Sequence, residues 1–171
     1  VIMKELSLHI LDIVQNSISA KSSFIQIKIN EDFKNDRLEI DIIDNGVGME
    51  RELLEKVLDP FTTTRTTRKV GLGLPLFQAI AIQCEGDFVI KSKVGQGTYV
   101  KALFKHSHID RPPLGNIADT LVTCILSREE IDFLYEHNID NKSFSLDTRI
   151  IKDTIDGIPI NDIGVVIWIK E

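Results

Sequence analysis

One short stretch of the chain combines a carboxylate with two closely spaced glycines. It reads Asp44-Asn45-Gly46-Val47-Gly48-Met49. A carboxylate accepts hydrogen bonds from an exocyclic amine, and glycines let the backbone turn sharply and approach a ligand closely. Asp-Asn-Gly is also common in plain turns, so this stretch alone leaves a ligand site and a simple turn open.

A second group of polar side chains lies in residues 4 to 20, whose apolar residues recur at helical spacing. Spacings of three and four put Glu5, His9, Asp12 and Asn16 on one face of that helix. The Asn16 amide oxygen suits a hard cation such as Mg²⁺, and Asp12, one turn earlier, suits orienting or deprotonating a nucleophile. An ordinary solvated helix face is the alternative.

A cationic, threonine-rich segment, residues 62 to 70, leads into Gly71-Leu72-Gly73-Leu74 and an apolar run that begins at Pro75. Glycines at a helix start expose backbone N–H groups at the positive end of the helix dipole, which favours phosphate. We therefore predict that residues 62 to 70 form a lid that an anion orders. A merely disordered surface loop is the alternative.

Alternating and helical periodicities predict the elements that hold these residues. The predicted strands are 24–29, 37–43, 87–92 and 98–104, and the predicted helices are 4–20, 49–58 and 75–84. Strands 24–29 and 37–43 form a natural hairpin that ends at Asp44. Thr98 opens the last of these strands, and if that strand neighbours Asp44, its hydroxyl can fix a water beside the carboxylate.

Bulk composition narrows the class of protein. With 171 residues, 43% hydrophobic and 27% charged, the chain can bury a core without disulfides. The formal net charge of −6 argues against a nucleic-acid binder that works by broad phosphate neutralisation. No membrane span or signal peptide is visible, so we expect a cytoplasmic location. Cys84 and Cys124 lack metal-ligand spacing and are expected to be buried thiols. Since the chain begins with Val1, the natural start can lie upstream.

The motifs, taken in order, resemble the GHKL ATPase superfamily of DNA gyrase, the ninety-kilodalton heat-shock chaperone, sensor histidine kinases and MutL. They are Asn16, Asp44 to Met49, Asp59-Pro60-Phe61, Gly71 to Leu74 and Gly95-Gln96-Gly97-Thr98. The likeness covers about residues 5 to 105. It implies an α+β fold, a two-layer α/β sandwich of the Bergerat ATP-binding type, over residues 1–107. Residues 108–171 would be a C-terminal α/β extension or a small appended domain.

The resemblance implies a role in ATP binding for each matched residue. Asn16 would be the Mg²⁺ ligand, and Asp44 would bind the adenine amino group. Gly46 and Gly48 would make room for the base, and Met49 would pack against it.

The same resemblance assigns residues to the phosphates and to the reaction. Lys69 and the residues from Gly71 to Leu74 would hold the phosphates, Thr98 would support a water on the adenine, and Phe61 would pack under the lid. Asp12 takes the place of the catalytic Glu of gyrase and MutL. Because Asp is one methylene shorter, we expect it to act through a water.

Several functions are open at this point. The first is a Mg·ATP-binding, kinase-like module that transfers phosphate to, or regulates, a separate partner protein. The second is a slow ATPase that acts as a conformational clamp. Such clamps usually need a long transducer domain, and the C-terminal part of about 60 residues is small for one. The third is a binding module in which the nucleotide has a structural role. A histidine kinase needs an acceptor His on a helical hairpin ahead of this domain. We expect no room for one in this chain, and His9 lies inside the first predicted helix, so we expect a partner to supply the acceptor.

The C-terminal third, from residue 110, has no catalytic signature. Arg111-Pro112-Pro113 is expected to be a rigid connector. The predicted elements are a strand at 120–126, a helix from Ser127 with Glu130 in a capping box, a strand at 143–147, a helix at 148–156 and a strand at 164–169. His137 is expected to cap a helix end, and Trp168 to lie in the last strand, in the core or at an interface.

Overall fold

The computed structural model describes residues 5–59 and 72–171. The elements in these residues are α1 (Leu6–Ser19), β1 (Phe24–Asp32), β2 (Arg37–Asp44), α2 (Arg51–Lys56), α3 (Gly73–Gln83), β3 (Asp87–Lys93), β4 (Gly97–Lys105), α4 (Ile117–Ser127), β5 (Asp132–Ile139), β6 (Lys142–Asp147), α5 (Thr148–Thr154) and α6 (Ile163–Lys170). The helices and strands predicted before residue 110 are found, with ends shifted by a few residues.

The strands form one six-stranded sheet in the order β3-β4-β2-β1-β5-β6. Strands β1 and β5 are parallel, and the other neighbouring pairs are antiparallel. The register of β2 and β4 places Asp44 opposite Thr98. Thus the end of one strand and the start of its neighbour bring two predicted site residues together.

The sheet has one apolar face and one charged face. Alternate residues of β1, namely Ile25, Ile27 and Ile29, are fully buried in a core that includes residues of α1, α3 and α4. The alternating positions on the other face carry ion pairs, such as that of Lys101 with Glu39 at 3.0 Å. Helices therefore cover one face, which confirms the predicted α+β, two-layer sandwich.

The C-terminal residues extend this sheet. Strand β5 lies beside β1, and β6 forms the edge of the sheet next to it. The predicted connector packs on the start of α1, because the Leu6 and Ser7 amides donate to the carbonyls of Pro113 and Leu114. The division into units 1–107 and 108–171 stays a prediction.

Two predicted C-terminal strands were wrong, and both segments are helices. Residues 120–126 belong to α4, where Asn116 caps the first turn by accepting a hydrogen bond from the Asp119 amide at 3.0 Å. Residues 164–169 belong to α6, which Asp162 caps through the Gly164 amide at 2.8 Å. Many residues of both segments are β-branched, and that composition favours strands. The side-chain caps and tertiary packing outweigh it.

Three further C-terminal expectations need correction. Ser127 ends α4 instead of starting a helix, so the predicted capping box with Glu130 is absent. His137 lies within β5 and not at a helix end. Trp168 is in α6 and is 53% exposed, so it is not a core residue of the described chain.

The predicted polar stripe of α1 is also interrupted. His9 is 1% exposed, and its ring stacks on Phe77 of α3 with the centroids 5.6 Å apart. Neither ring nitrogen has a hydrogen-bond partner among the described residues. Burial lowers the pKa of His9, and the nearby Asp12 carboxylate opposes that shift in part. Therefore His9 is a neutral core residue that holds α1 against α3.

The two cysteines are free and buried, as predicted. In the parts of the chain that the structure describes, no helix has the length and apolar character needed to cross a bilayer.

Candidate nucleotide site

A cavity of about 90 Å³ lies between α1, the end of β2, the start of β4 and the start of α3. Six residues predicted from the sequence line it: Asn16, Asp44, Gly48, Met49, Leu74 and Thr98. The rest of the lining is Ile13, Ser17, Ala20, Ile42 and Val100. A largely apolar pocket with a few polar groups on its wall suits a flat heteroaromatic ring.

Asp44 is the charged group of this wall, and it is 8% exposed. Its Oδ2 accepts a hydrogen bond from the Ser17 hydroxyl at 2.6 Å. Its Oδ1 accepts from the amides of Gly46 at 2.9 Å and Thr98 at 3.2 Å. A buried carboxylate is stable only with such donors, and here they fix the direction of its remaining lone pairs.

Two serines of the site were missed by sequence reasoning. Ser17 follows Asn16 in α1. Its side chain is buried, and its hydroxyl donates a hydrogen bond to the Asp44 carboxylate. Ser92 lies opposite Thr98 in the β3–β4 hairpin, and their hydroxyl oxygens are 2.8 Å apart. Ser92 and Thr98 are each three residues from Gly95 in the turn. A hairpin centred on Gly95 therefore pairs them, and this register is the sequence signal from which the role of Ser92 could have been predicted.

Gly46 and Gly48, the two glycines of the loop after Asp44, pack so closely on neighbouring protein atoms that neither has space for a Cβ. A Cβ on Gly46 would lie 2.7 Å from the Ala20 carbonyl oxygen. Gly48 has a φ of +68°, and a Cβ there would overlap the Lys93 carbonyl. Both positions thus require glycine because the loop packs closely on α1 and on the β3–β4 turn. Of the two, Gly48 also lines the cavity.

Asp12 and Asn16 occupy successive turns of α1 near the start of α3. A Cβ on Gly73, the first residue of α3, would lie 3.2 Å from Asp12 Cβ. Burial raises the pKa of Asp12, and His9 lowers it in part. The carboxylate is therefore a stronger base than an ordinary Asp, and it lies beside a helix N-terminus.

The first turn of α3 contains no acidic residue and no side-chain cap. Its backbone N–H groups lie at the positive end of the helix dipole, which favours an anion. Leu74 is buried and lines the cavity, whereas Leu72 is 52% exposed and does not. The predicted lid at 62–70, which includes Lys69, lies outside the described residues, as do Phe61 and Gly71.

The residues present fit a Mg²⁺ ion that phosphate oxygens help to hold. Asn16 is half-buried at the cavity, and within the described residues its carboxamide makes no hydrogen bond that would occupy its oxygen. Those residues contain no cluster of three or more His, Cys, Asp or Glu that could hold a metal ion. Mg²⁺ is commonly bound by one or two protein oxygens together with phosphates and water, and the Asn16 oxygen would provide one such ligand.

Comparison with known proteins places this geometry in a family. The family model described as histidine kinase-, DNA gyrase B- and HSP90-like ATPase matches residues 3–108. The chain belongs to this family. The match includes all the cavity residues, and it confirms the resemblance seen in the sequence. The part of the chain that matches this ATPase family is therefore residues 3–108.

Sensor kinases are among the similar proteins. The signal transduction histidine-protein kinase AtoS of Escherichia coli (strain K12) is 36% identical over 89 residues, which cover 52% of this chain and 14% of that protein. Sensor protein DegM of Bacillus sp. (strain B21-2) is 34% identical over 91 residues, 53% of this chain and 24% of that protein. The chain thus matches less than a quarter of the length of either relative.

Solved structures share the fold at low sequence identity. The Aquifex aeolicus MutL ATPase domain complexed with ADP superimposes with a TM-score of 0.54 and 15% identity, covering 84% of this chain and 64% of that one. The N-terminal domain of a DNA repair protein gives a TM-score of 0.56, also at 15% identity, over 85% of this chain and 53% of that one. Because the family model ends at residue 108, both superpositions include part of the C-terminal extension.

Proposed function

We propose that this chain is the Mg·ATP-binding part of a kinase-like signalling protein that transfers phosphate to, or regulates, a separate partner protein. The observation that carries the proposal is the Asp44 carboxylate, buried and hydrogen-bonded at the wall of an apolar cavity. The similarity of the chain to sensor kinases supports the kinase-like role. The free cysteines Cys84 and Cys124 fit a reducing compartment, and we propose the cytoplasm.

In this proposal the ATP lies with its base in the cavity and its phosphates toward the start of α3. Asp44 accepts the adenine amine, and the apolar side chains of Met49 and Leu74 contact the ring. Asn16 holds Mg²⁺, which neutralises charge on the phosphates. Lys69 and Gly71, on the sequence evidence, bind the same phosphates together with the α3 N-terminus.

The transfer is an in-line displacement at the γ-phosphorus. A hydroxyl or imidazole of the partner forms a bond to that phosphorus while the bond to the β,γ-bridging oxygen breaks, and ADP leaves with that oxygen. The acceptor loses a proton. Asp12 lies beside Gly73 with a raised pKa, so it is suited to orient the acceptor and take the proton through a water.

A slow ATPase that acts as a conformational clamp is the second candidate. Asp12 favours it, because a basic carboxylate one turn before Asn16 could equally activate water. The superposition on the MutL ATPase domain, which runs past residue 108, is a likeness of fold.

Calorimetric titration with ATP and ADP in the presence of Mg²⁺ tests nucleotide binding at this site. We expect micromolar binding by the natural chain and a loss of about 10- to 100-fold in Asp44→Asn, because the amide would present a donor to the adenine amine. Asp41→Asn is the matched control. Asp41 is a buried Asp of the same strand, but its carboxylate faces the other side of the sheet and accepts from the Tyr99 hydroxyl at 2.6 Å.

A labelled-phosphate assay separates the two functions. With γ-labelled ATP, label transferred to a candidate partner protein supports the kinase-like proposal. Free labelled phosphate without labelled protein supports the clamp.

Equal ATP binding by Asp44→Asn and the natural chain in calorimetry would contradict the assignment of the base pocket.

A further inference from the structure

The hydroxyl of Ser92 uses its full hydrogen-bonding capacity beside the cavity. It accepts from the Met49 amide at 2.8 Å and donates to the Gly97 carbonyl oxygen at 3.0 Å. The Thr98 hydroxyl oxygen lies 2.8 Å away. A serine hydroxyl has one proton and two lone pairs, so these three contacts satisfy it completely.

The fixed groups decide which way the proton between Ser92 and Thr98 points. An amide N–H can only donate, and a carbonyl oxygen can only accept. The Ser92 proton therefore goes to Gly97, and one of its lone pairs goes to Met49. The remaining lone pair receives the proton of Thr98, which leaves Thr98 Oγ1 with only lone pairs for the cavity.

The neighbouring wall has the same polarity. Asp44 uses its oxygens to accept from Ser17, Gly46 and Thr98, and an ionised carboxylate has no proton to give. Ser17 gives its proton to Asp44, and apart from Asn16, which the proposal assigns to Mg²⁺, the other lining side chains have no hydrogen-bond donor. Within the described residues, this part of the cavity therefore presents two acceptors, Asp44 and Thr98, side by side.

We infer that Ser92 is a positioning residue for base selectivity, because it locks Thr98 as an acceptor. Two acceptors that both face the C6 substituent of the base favour an amine, which has two N–H donors, and disfavour a carbonyl oxygen, which has none. The ligand class is thus a 6-aminopurine nucleotide over a 6-oxopurine nucleotide. The inference rests on the proposed nucleotide function, and it adds a residue that touches no part of the base.

The test compares ATP with inosine triphosphate (ITP), which carries a 6-oxo group and lacks the 2-amino group of guanine. In Ser92→Ala the Thr98 proton loses its acceptor and is free to turn into the cavity. We expect the ratio of ATP to ITP affinity to fall about fivefold, the size of one hydrogen bond. Ser92→Thr keeps the hydroxyl and is expected to keep the natural ratio.

Thr98→Val tests the polarity even if Ser92→Ala does not fold. Removal of an acceptor weakens ATP more than ITP, so the affinity ratio falls. Removal of a donor would raise the ratio, and that result would overturn the inference. With Thr98 already changed to Val, Ser92→Ala is expected to alter the ratio no further, because no hydroxyl is left to turn.

Failure of the inference and failure of the proposed function have different signatures. If the natural chain binds neither ATP nor ITP in calorimetry, the proposed function fails and the inference with it. If the natural chain prefers ATP, but Ser92→Ala weakens both nucleotides equally, Ser92 is only a structural residue and the inference alone fails. A ratio that changes equally with and without the Thr98 hydroxyl would likewise overturn it.

Discussion

At the scale of single residues, the Asp44 carboxylate depends on a hydroxyl that contacts no ligand in our proposal. Ser17→Ala removes the 2.6 Å hydrogen bond to Asp44. We expect ATP affinity to fall about 5- to 10-fold, because a charge-assisted hydrogen bond is lost and the carboxylate can rotate. Calorimetry measures the affinity, and thermal melting checks the fold.

Ser7→Ala is the control for this change. Ser7 is a buried serine of the same helix and donates to the Glu5 carboxylate at 3.2 Å, away from the cavity. We expect its ATP affinity to equal that of the natural chain. Unchanged affinity in Ser17→Ala would mean that Asp44 is held sufficiently by the amides of Gly46 and Thr98.

Residue types explain which parts of the site the sequence could predict. Asp44 and Asn16 stand in motifs whose spacing is specific, and the structure brings both to one cavity. Ser17 and Ser92 carry no such signal, since serine is common in turns, caps and surfaces alike. Their roles depend on side-chain directions across different elements. Those directions follow only once the register of β2, β3 and β4 is known.

At the scale of elements, His9 shows how α1 is packed against α3. Burying an imidazole whose two nitrogens find no partner in residues 5–59 and 72–171 costs free energy, whereas a phenyl ring has no such groups. We expect His9→Phe to keep the stacking on Phe77 and to raise the free energy of unfolding by about 1 kcal/mol. Urea unfolding at pH 7 measures this difference.

The same variant is expected to change the pH dependence of stability. Because burial lowers the pKa of His9, the unfolded chain takes up the proton more readily than the folded chain. The contribution of the neutral ring is full above the unfolded pKa of about 6.5 and is lost as the pH falls through the folded pKa. We therefore expect a weaker acid destabilisation in His9→Phe, and an identical pH profile would contradict the assignment.

Variants of Asn116 in helix α4 can test why residues 120–126 form a helix although a strand was predicted. Its strand-like composition is outweighed by the Asn116 cap and by burial of Leu121, Cys124 and Ile125 at helical spacing. We expect Asn116→Ala to lower the free energy of unfolding by about 1 kcal/mol and Asn116→Ser to lower it much less, since serine also caps. Chemical unfolding followed by circular dichroism distinguishes the two. Equal losses would contradict a capping role.

The elements before residue 110 were predictable because their periodicity agrees with their propensity. Strands β1 and β2 carry buried isoleucines or leucine at alternate positions, and α1 has an apolar stripe at helical spacing. In α6 the two signals conflict, because a run rich in Val and Ile forms a helix. Composition alone has no means of weighing a cap such as Asp162 against strand propensity, so the conflict was resolved wrongly.

At the scale of the whole molecule, the C-terminal extension is joined to the ATP-binding domain by backbone and by side chains. Strand β5 pairs with β1 along its whole length. The Nε2 atoms of His106 and His137 lie 2.7 and 2.8 Å from the two oxygens of Glu31. Burial raises the pKa of Glu31, but the hydrogen bonds with these histidines outweigh it and lower the pKa. One carboxylate thus links residues on both sides of the 107/108 boundary.

A chain that ends after residue 107 tests whether that boundary separates two units. Truncation turns β1 into an edge strand and removes α4, which packs with α1 in the common core. We expect the truncated chain to aggregate or to melt without a cooperative transition, because Ile25, Ile27 and Ile29 lose the apolar neighbours that β5 and α4 supply. A chain that ends after Asp156 keeps all six strands and is the control, with cooperative melting and ATP binding expected. If the 1–107 chain instead melts cooperatively and binds ATP as the whole chain does, the extension is an independent appended unit. If the 1–107 chain loses cooperative melting and the chain that ends after Asp156 keeps it, the ATP-binding fold is completed by the strands and helices that follow residue 107.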